Sequence, residues 1–249
     1  MLVAASTECF HDLPLPDAIG RLVDLEYSNV EIAIDEDGVQ LRPSEVEANL
    51  DRVVSLCRDI HRLNVVAYNV KLRATGEEYY RHFRAICKLA KATKVVTLVV
   101  PSSELGTPFN EEVERLRRLV DLASLEGARV GMKTTIGCLT EDPDTAAVLC
   151  DNVKGLGLTL DPSHYVCGPH SRRSTSKLMK YVYHVHLRDS TKDTLQVRIG
   201  QGEIEYGRLI SQLRKVHYTR ALSVDLREIP DVEHFGEMRK MRLLLESLL

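Results

Sequence analysis

The chain has 249 residues, of which 44% are hydrophobic and none is tryptophan. That is enough to build a full core and suits one large α/β domain, while a formal net charge of −3 argues against a dedicated nucleic-acid binder, which would carry a basic excess. The opening MLVAASTECF lacks a basic n-region and a long apolar run, no segment approaches about eighteen uncharged apolar residues, and the six cysteines form no Cys-x-x-Cys pair. The expectation is a cytoplasmic protein without membrane or nucleic-acid partners, its cysteines serving as small buried hydrophobes.

Taken in chain order, the strand candidates are MLVAAST, NVEIAI, NVVAYNV, KVVTLVV, ARVGMKT, LGLTLD, YVYHVHL and ALSVDL. Helical stretches lie between them. Ser44 with Glu47 fits a capping box, Asn110 is placed to cap EEVERLRRLVDLASL, and Asp142–Pro143 fits an N-cap followed by N1 proline. A last helix from about Asp231 puts Val232, Phe235, Met238, Met241, Leu245 and Leu248 on one stripe. Repeated βα units predict a (β/α)8 TIM barrel, one domain over 1–249, with a doubly wound sheet as the structural rival.

Side chains alternate faces along a strand. In LGLTLD, Leu156, Leu158 and Leu160 oppose Gly157, Thr159 and Asp161. In YVYHVHL, Tyr183, Val185 and Leu187 oppose His184, His186 and the following Arg188. In ALSVDL, Leu222, Val224 and Leu226 oppose Ala221, Ser223 and Asp225, and in ARVGMKT Val130 and Met132 oppose Gly131 and Lys133. Each greasy face turns to the helices. Each opposite face carries small residues and then a polar group near the C-terminal end of the strand, where barrels hold their chemistry. Lys133, Asp161, His186 and Asp225 are therefore expected at one mouth. Ionisable groups buried together must pair, bind an ion or bind a ligand. Taken alone, Asp161 reads as a cap for the next helix and His184 as a satisfied core histidine.

These motifs resemble the xylose isomerase-like TIM barrel superfamily, the sugar isomerases, epimerases and lyases that also include endonuclease IV. Asp-x-x-His (161–164), His-x-His-x-x-Asp (184–189) and Gly-x-Gly-x-Ile-x-Tyr (200–206) occur in the order that resemblance requires. The last is no dinucleotide fingerprint, since its third glycine, Gly207, comes two positions late and no strand feeds the first; Glu203 and Glu205 read as solvated or capping residues. The resemblance implies one divalent cation (Mn, Mg, Co or Zn). Its ligands are a glutamate on the fifth strand, Asp161, His186 and an acid on the eighth, here Asp225. It also implies substrate contacts from His164 and, at an arginine position, Lys192, and a homodimer. The fifth-strand position is Lys133, which departs from the pattern.

An ammonium has three donors, so Lys133 is expected to bridge Asp161 and Asp225 in the cation's place. The other outcome is a lysine bent out to solvent beside a weak three-ligand metal site. Lysine between two acids is a poor base but can stabilise an enediolate oxygen. The resemblance implies a sugar or sugar-phosphate isomerase or epimerase moving a proton next to a carbonyl. Asp225 is its candidate base, Lys133 its cation and His164 an orienting or polarising group, and Arg188 and the basic SRRSTSK loop are candidate anion contacts. The alternative is a catalytically degenerate sugar-binding or regulatory barrel, because Lys133 removes a ligand and a base together. An endonuclease IV-like metal cluster is not expected: the third strand offers only Tyr68 and Asn69 for its additional ligands.

Overall fold

The computed structural model describes residues 1–60, 63–171 and 173–249. Its strands are β1 (Leu2–Ser6), β2 (Asn29–Asp35), β3 (Asn64–Lys71), β4 (Thr97–Pro101), β5 (Arg129–Lys133), β6 (Gly157–Leu160), β7 (Val182–Leu187) and β8 (Ala221–Val224). Each pairs in parallel with its sequence neighbour, and Leu2↔Ala221 closes the barrel between β1 and β8. The helices are α1 (Leu15–Asp24), α2 (Pro43–Ala48), α3 (Leu50–Arg58), α4 (Gly76–Thr93), α5 (Phe109–Leu125), α6 (Pro143–Asn152), the short α7 (Ser163–Val166), α8 (Tyr206–Lys215) and α9 (His234–Leu248). No described helix is long and apolar enough to cross a membrane.

The main core lies between strands and helices. Ile32, Ile34, Leu98, Val130, Met132, Leu158, Val185 and Leu222 are fully buried there, as the period-two reading requires. Asp142 caps α6 by accepting from the Asp144 N–H, ahead of Pro143. Two other expected caps lie inside their helices. Ser44 follows Pro43 in α2 and donates to Glu36, and Asn110 follows Phe109 in α5, whose cap position is Pro108. In both cases a proline set the helix start one residue or more earlier. α9 begins at His234 because Asp231 is left-handed (φ 61°) and the Glu233 carboxylate caps the Phe235 and Gly236 N–H groups.

Two strands depart from simple alternation, β3 with an extra residue at Val66 and, nearer the site, β7. Leu158 pairs with Val182 but Thr159 pairs with His184, so β7 carries an extra residue, Tyr183. Its ring lies where a Gly157 Cβ would point, on the interior side with Thr159, and not outward with Val185 as alternation predicts. Arg129 and Arg220, at the N-terminal ends of β5 and β8, flank the ring at 5.6 and 5.3 Å. A Cβ on Gly157 would fall 2.2 Å from that ring. Gly157→Ala is therefore expected to destabilise the fold by about 1–3 kcal/mol, measured by urea unfolding, and the penalty should shrink when Tyr183 is also alanine.

Candidate functional site

The C-terminal ends of four neighbouring strands supply the rim groups. Lys133 ends β5, Asp161 follows β6, His186 and Arg188 stand on and just past β7, and Asp225 follows β8. Asp161, His186 and Asp225 are buried, and the Lys133 side chain is 19% exposed. One ligand atom from each of Asp161, His186 and Asp225 falls within a 4.8 Å cluster.

Lys133 donates to Asp225 Oδ2 at 3.0 Å, but the bridge expected of it is made by Arg188. The Arg188 NH2 group lies 3.1 Å from Asp161 Oδ2 and 2.9 Å from Asp225 Oδ2. A guanidinium directs several donors and stays charged at any working pH, so it can hold two acids at once. Asp161 Oδ1 meanwhile accepts from the Ser163 N–H and hydroxyl, so this residue also caps the turn into α7. Asp225 Oδ1 has no partner among the described residues. Burial would push both carboxyls up. Arg188, His164 and Lys133 instead hold Asp161 below the usual carboxylate range. Lys133, then Arg188 and His186, hold Asp225 well below it.

A layer deeper, Glu31 of β2 was not singled out by the sequence reading. Its Oε2 lies 2.6 Å from His184 Nε2 and 2.7 Å from His186 Nε2, with all three side chains buried. Burial opposes its charge, but the two imidazoles hold its carboxyl far below the usual range. An ionised carboxylate only accepts, so both Nε2 atoms carry hydrogen. His186 Nδ1 has no hydrogen-bond partner among the described residues and lies 3.5 Å from Asp225 Oδ2. The available signal was period two applied to NVEIAI, which puts Glu31 on the interior face between Asn29 and Ala33.

His164 lies beside the acids, its Nε2 3.5 Å from Asp161 Oδ2. Its Nδ1 accepts from the Ile136 N–H at 3.1 Å, which fixes the hydrogen on Nε2 and makes the ring a donor toward the mouth. Burial lowers its pKa to about 4 against the pull of Asp161. Lys192 is exposed on the loop after β7. In the SRRSTSK loop, Arg173 pairs with Asp142 and Asp144 and Lys177 with Asp144, so these cations turn to the start of α6; Arg172 lies outside the described residues. Glu205 pairs with Arg208 on the exposed start of α8. Cys9, Cys57, Cys87 and Cys150 are buried as expected, and Cys138 and Cys167 are half-buried.

Neither buried group of ligand-type residues, Asp161–His186–Asp225 at the rim or Glu31–His184–His186 below it, is arranged for a resident divalent cation; in the deeper group both imidazole Nε2 atoms donate to Glu31. The Oδ2 atoms of Asp161 and Asp225 already accept from Arg188 and Lys133, and Asp161 Oδ1 is tied to Ser163. Two carboxylates face two cations, so the cluster is neutral before any ion arrives, and a divalent ion would bring uncompensated charge into a buried site.

The same groups set a pH dependence. His164 and His184 are held neutral by burial, with pKa values below the ordinary histidine value. Below about pH 6.5 the unfolded chain binds their protons and the folded chain resists them, in the case of His164 down to about pH 4. Glu31, Asp161 and Asp225 stabilise the fold above the ordinary carboxylate range, and that contribution is lost on further acidification. Unfolding free energy should fall from about pH 6.5 downward and more steeply below about pH 4; urea titrations at stepped pH that stayed level over this range would contradict it.

Comparison with known proteins places this geometry in context. Residues 19–243 match the family described as xylose isomerase-like TIM barrel. An uncharacterized protein of Methanocaldococcus jannaschii is 24% identical over 194 residues, 72% of this chain and 66% of that protein, so the match spans just under two thirds of its length. Among solved structures, 3-keto-D-glucoside 4-epimerase from E. coli superposes with a TM-score of 0.76 at 14% identity, over 99% of each chain. A xylose isomerase-like TIM barrel protein from Mycobacterium smegmatis in complex with magnesium also gives 0.76 at 14% identity, covering 100% of this chain and 98% of that one. The IOLI protein with a bound zinc atom gives 0.73 at 18% identity, over 100% and 98%.

Proposed function

The chain belongs to the xylose isomerase-like TIM barrel family, and on that premise we propose that its rim centre moves a proton next to the carbonyl of a sugar or sugar phosphate. The observation that carries this reading is the unequal state of the Asp225 carboxylate. Oδ2 is held by Lys133 and Arg188, while Oδ1 has no partner. A carboxylate fixed at one oxygen and without a hydrogen-bond donor on the other keeps a lone pair free to take a proton from carbon once substrate is seated against it. As the C–H bond breaks, its electron pair forms the carbon–carbon double bond of an enediolate. The carbonyl pair moves to oxygen, where the Lys133 ammonium stabilises the charge. Asp225 then returns the proton to the neighbouring carbon, while the proton of that carbon's hydroxyl passes across the enediolate to the former carbonyl oxygen, so that the carbonyl has moved by one position. His164, neutral and donating from Nε2, orients a hydroxyl.

Beside the centre, on the β1, β2, β3 and β8 side of the same rim, a cavity of about 490 Å³ is lined by Glu8, His11, Asp35, Gln40, Lys71 and Arg227. Lys71 sits 3.1 Å from Glu8 and 3.3 Å from Asp35, so acids and cations alternate around the opening. Mixed donors and acceptors suit a hydroxyl-rich ligand, and the volume suits a small molecule. The structurally similar sugar epimerases support the same substrate class.

A second reading rests on how strongly Asp225 is held in its ionised form, which weakens it as a base: a barrel that binds sugar without turning it over. Incubating the chain with ketoses and ketose phosphates in D2O separates the two. Deuterium entering next to the carbonyl, abolished by Asp225→Asn, establishes proton transfer. Calorimetric binding with no exchange establishes the second reading.

A further inference from the structure

We infer that the Lys133 ammonium and the Arg188 guanidinium are built into this chain in place of the divalent cation held by similar barrels, and that the centre works without a metal. Solved structures of similar fold contain zinc or magnesium. Here the corresponding acids are already joined, because one guanidinium nitrogen spans Asp161 and Asp225 at 3.1 and 2.9 Å and the ammonium adds a second contact to Asp225 at 3.0 Å. A metal bound by Asp161, His186 and Asp225 would find Asp225 Oδ1 and His186 Nδ1 without partners among the described residues, but at Asp161 it would have to displace Arg188 from Oδ2, and Arg188 cannot lose its proton to make room.

Arg188 is also prevented from swinging away. It is buried, and its carbonyl accepts from the Tyr206 hydroxyl at 3.1 Å. The adjacent Asp189 carboxylate accepts from the Ser190, Gly200 and Gly202 N–H groups at 3.1, 2.8 and 3.0 Å. A Cβ on Gly202 would lie 2.0 Å from Asp189 Oδ1, so glycine at that position lets the loop close on the carboxylate. The Gly-x-Gly-x-Ile-x-Tyr segment is thus a clip around the end of β7 that holds the guanidinium over the two acids. Arg188 and Lys133 supply fixed positive charge where a carbonyl oxygen would gather negative charge, with no exchangeable ligand. Asp189 and Tyr206 are positioning residues for it.

This deepens the proton-transfer reading and rests on it for what the cations do to substrate. Metal occupancy is measured with no sugar present, so either statement can fail without the other. The test is elemental analysis of the purified chain after incubation with Mn2+, Zn2+ or Mg2+ and dialysis, with Mn2+ titrations followed by electron paramagnetic resonance. The unmodified chain is expected to retain far less than one equivalent of any of these metals. Lys133→Glu combined with Arg188→Met, which removes both charges from the acids and adds a ligand, is expected to tighten Mn2+ binding by at least about a hundredfold. One equivalent of retained metal in the unmodified chain would overturn the inference whether or not the variant folds. A folded double variant with unchanged Mn2+ affinity would overturn it too.

Discussion

Arg188→Met is expected to lower folding stability by about 3–5 kcal/mol, a large share of an ordinary domain's margin. The guanidinium is the partner of two buried carboxylates at once, so its removal leaves Asp161 and Asp225 facing each other with Lys133 contacting only the second. Methionine keeps the apolar stem of the side chain but offers no donor. Lys133→Met should cost less, about 1–2 kcal/mol, because that ammonium is partly solvated and Asp225 keeps Arg188. Urea unfolding of both variants reads the difference. Equal and small losses would show that the two acids do not depend on the guanidinium bridge.

Glu31→Leu is expected to be similarly severe, about 3–5 kcal/mol, since it leaves two buried imidazole donors unanswered. Glu31→Gln should be milder. Both imidazole bonds fall on the single oxygen Oε2, and Oε1 has no partner, so a carboxamide can keep both bonds through its oxygen. The gap between the chain and Glu31→Gln then reads the charge, and the gap between the Gln and Leu variants reads the hydrogen bonds. Crystal structures of the two variants should show His186 in place with Gln and displaced with Leu. A Gln variant as unstable as the Leu variant would mean that charge, not hydrogen bonding, fixes the rings.

The barrel was legible because its signals are local and repeated. Seven of the eight strand candidates contain the strand observed or fall within a residue of its limits, while KVVTLVV begins three residues before Thr97 and stops one short of Pro101, and alternation placed Lys133, Asp161, His186 and Asp225 on the interior face. What the sequence could not rank was which cation reaches which acid. Lys133 and Arg188 both project into the mouth, and the choice between them turns on the Asp189–Gly202 clip and the reach of each side chain, which are three-dimensional. Glu31 was readable by the same alternation, but it stands mid-strand, away from the C-terminal positions where chemistry was sought. Tyr183 escaped for a different reason: a single extra residue in β7 reverses its face, and nothing in YVYHVHL marks where pairing slips. The cap errors at Ser44 and Asn110 share one cause, a preceding proline that starts the helix earlier.

The misplaced tyrosine has a consequence for traffic. With its ring packed against Gly157 between two arginines and the buried Glu31–His184 pair above it, the lower half of the barrel is filled by side chains and is not a pore. Traffic to Asp225 is therefore expected from the C-terminal rim, and trimming Tyr183 should loosen the floor while the Glu31–His184 layer still closes it off.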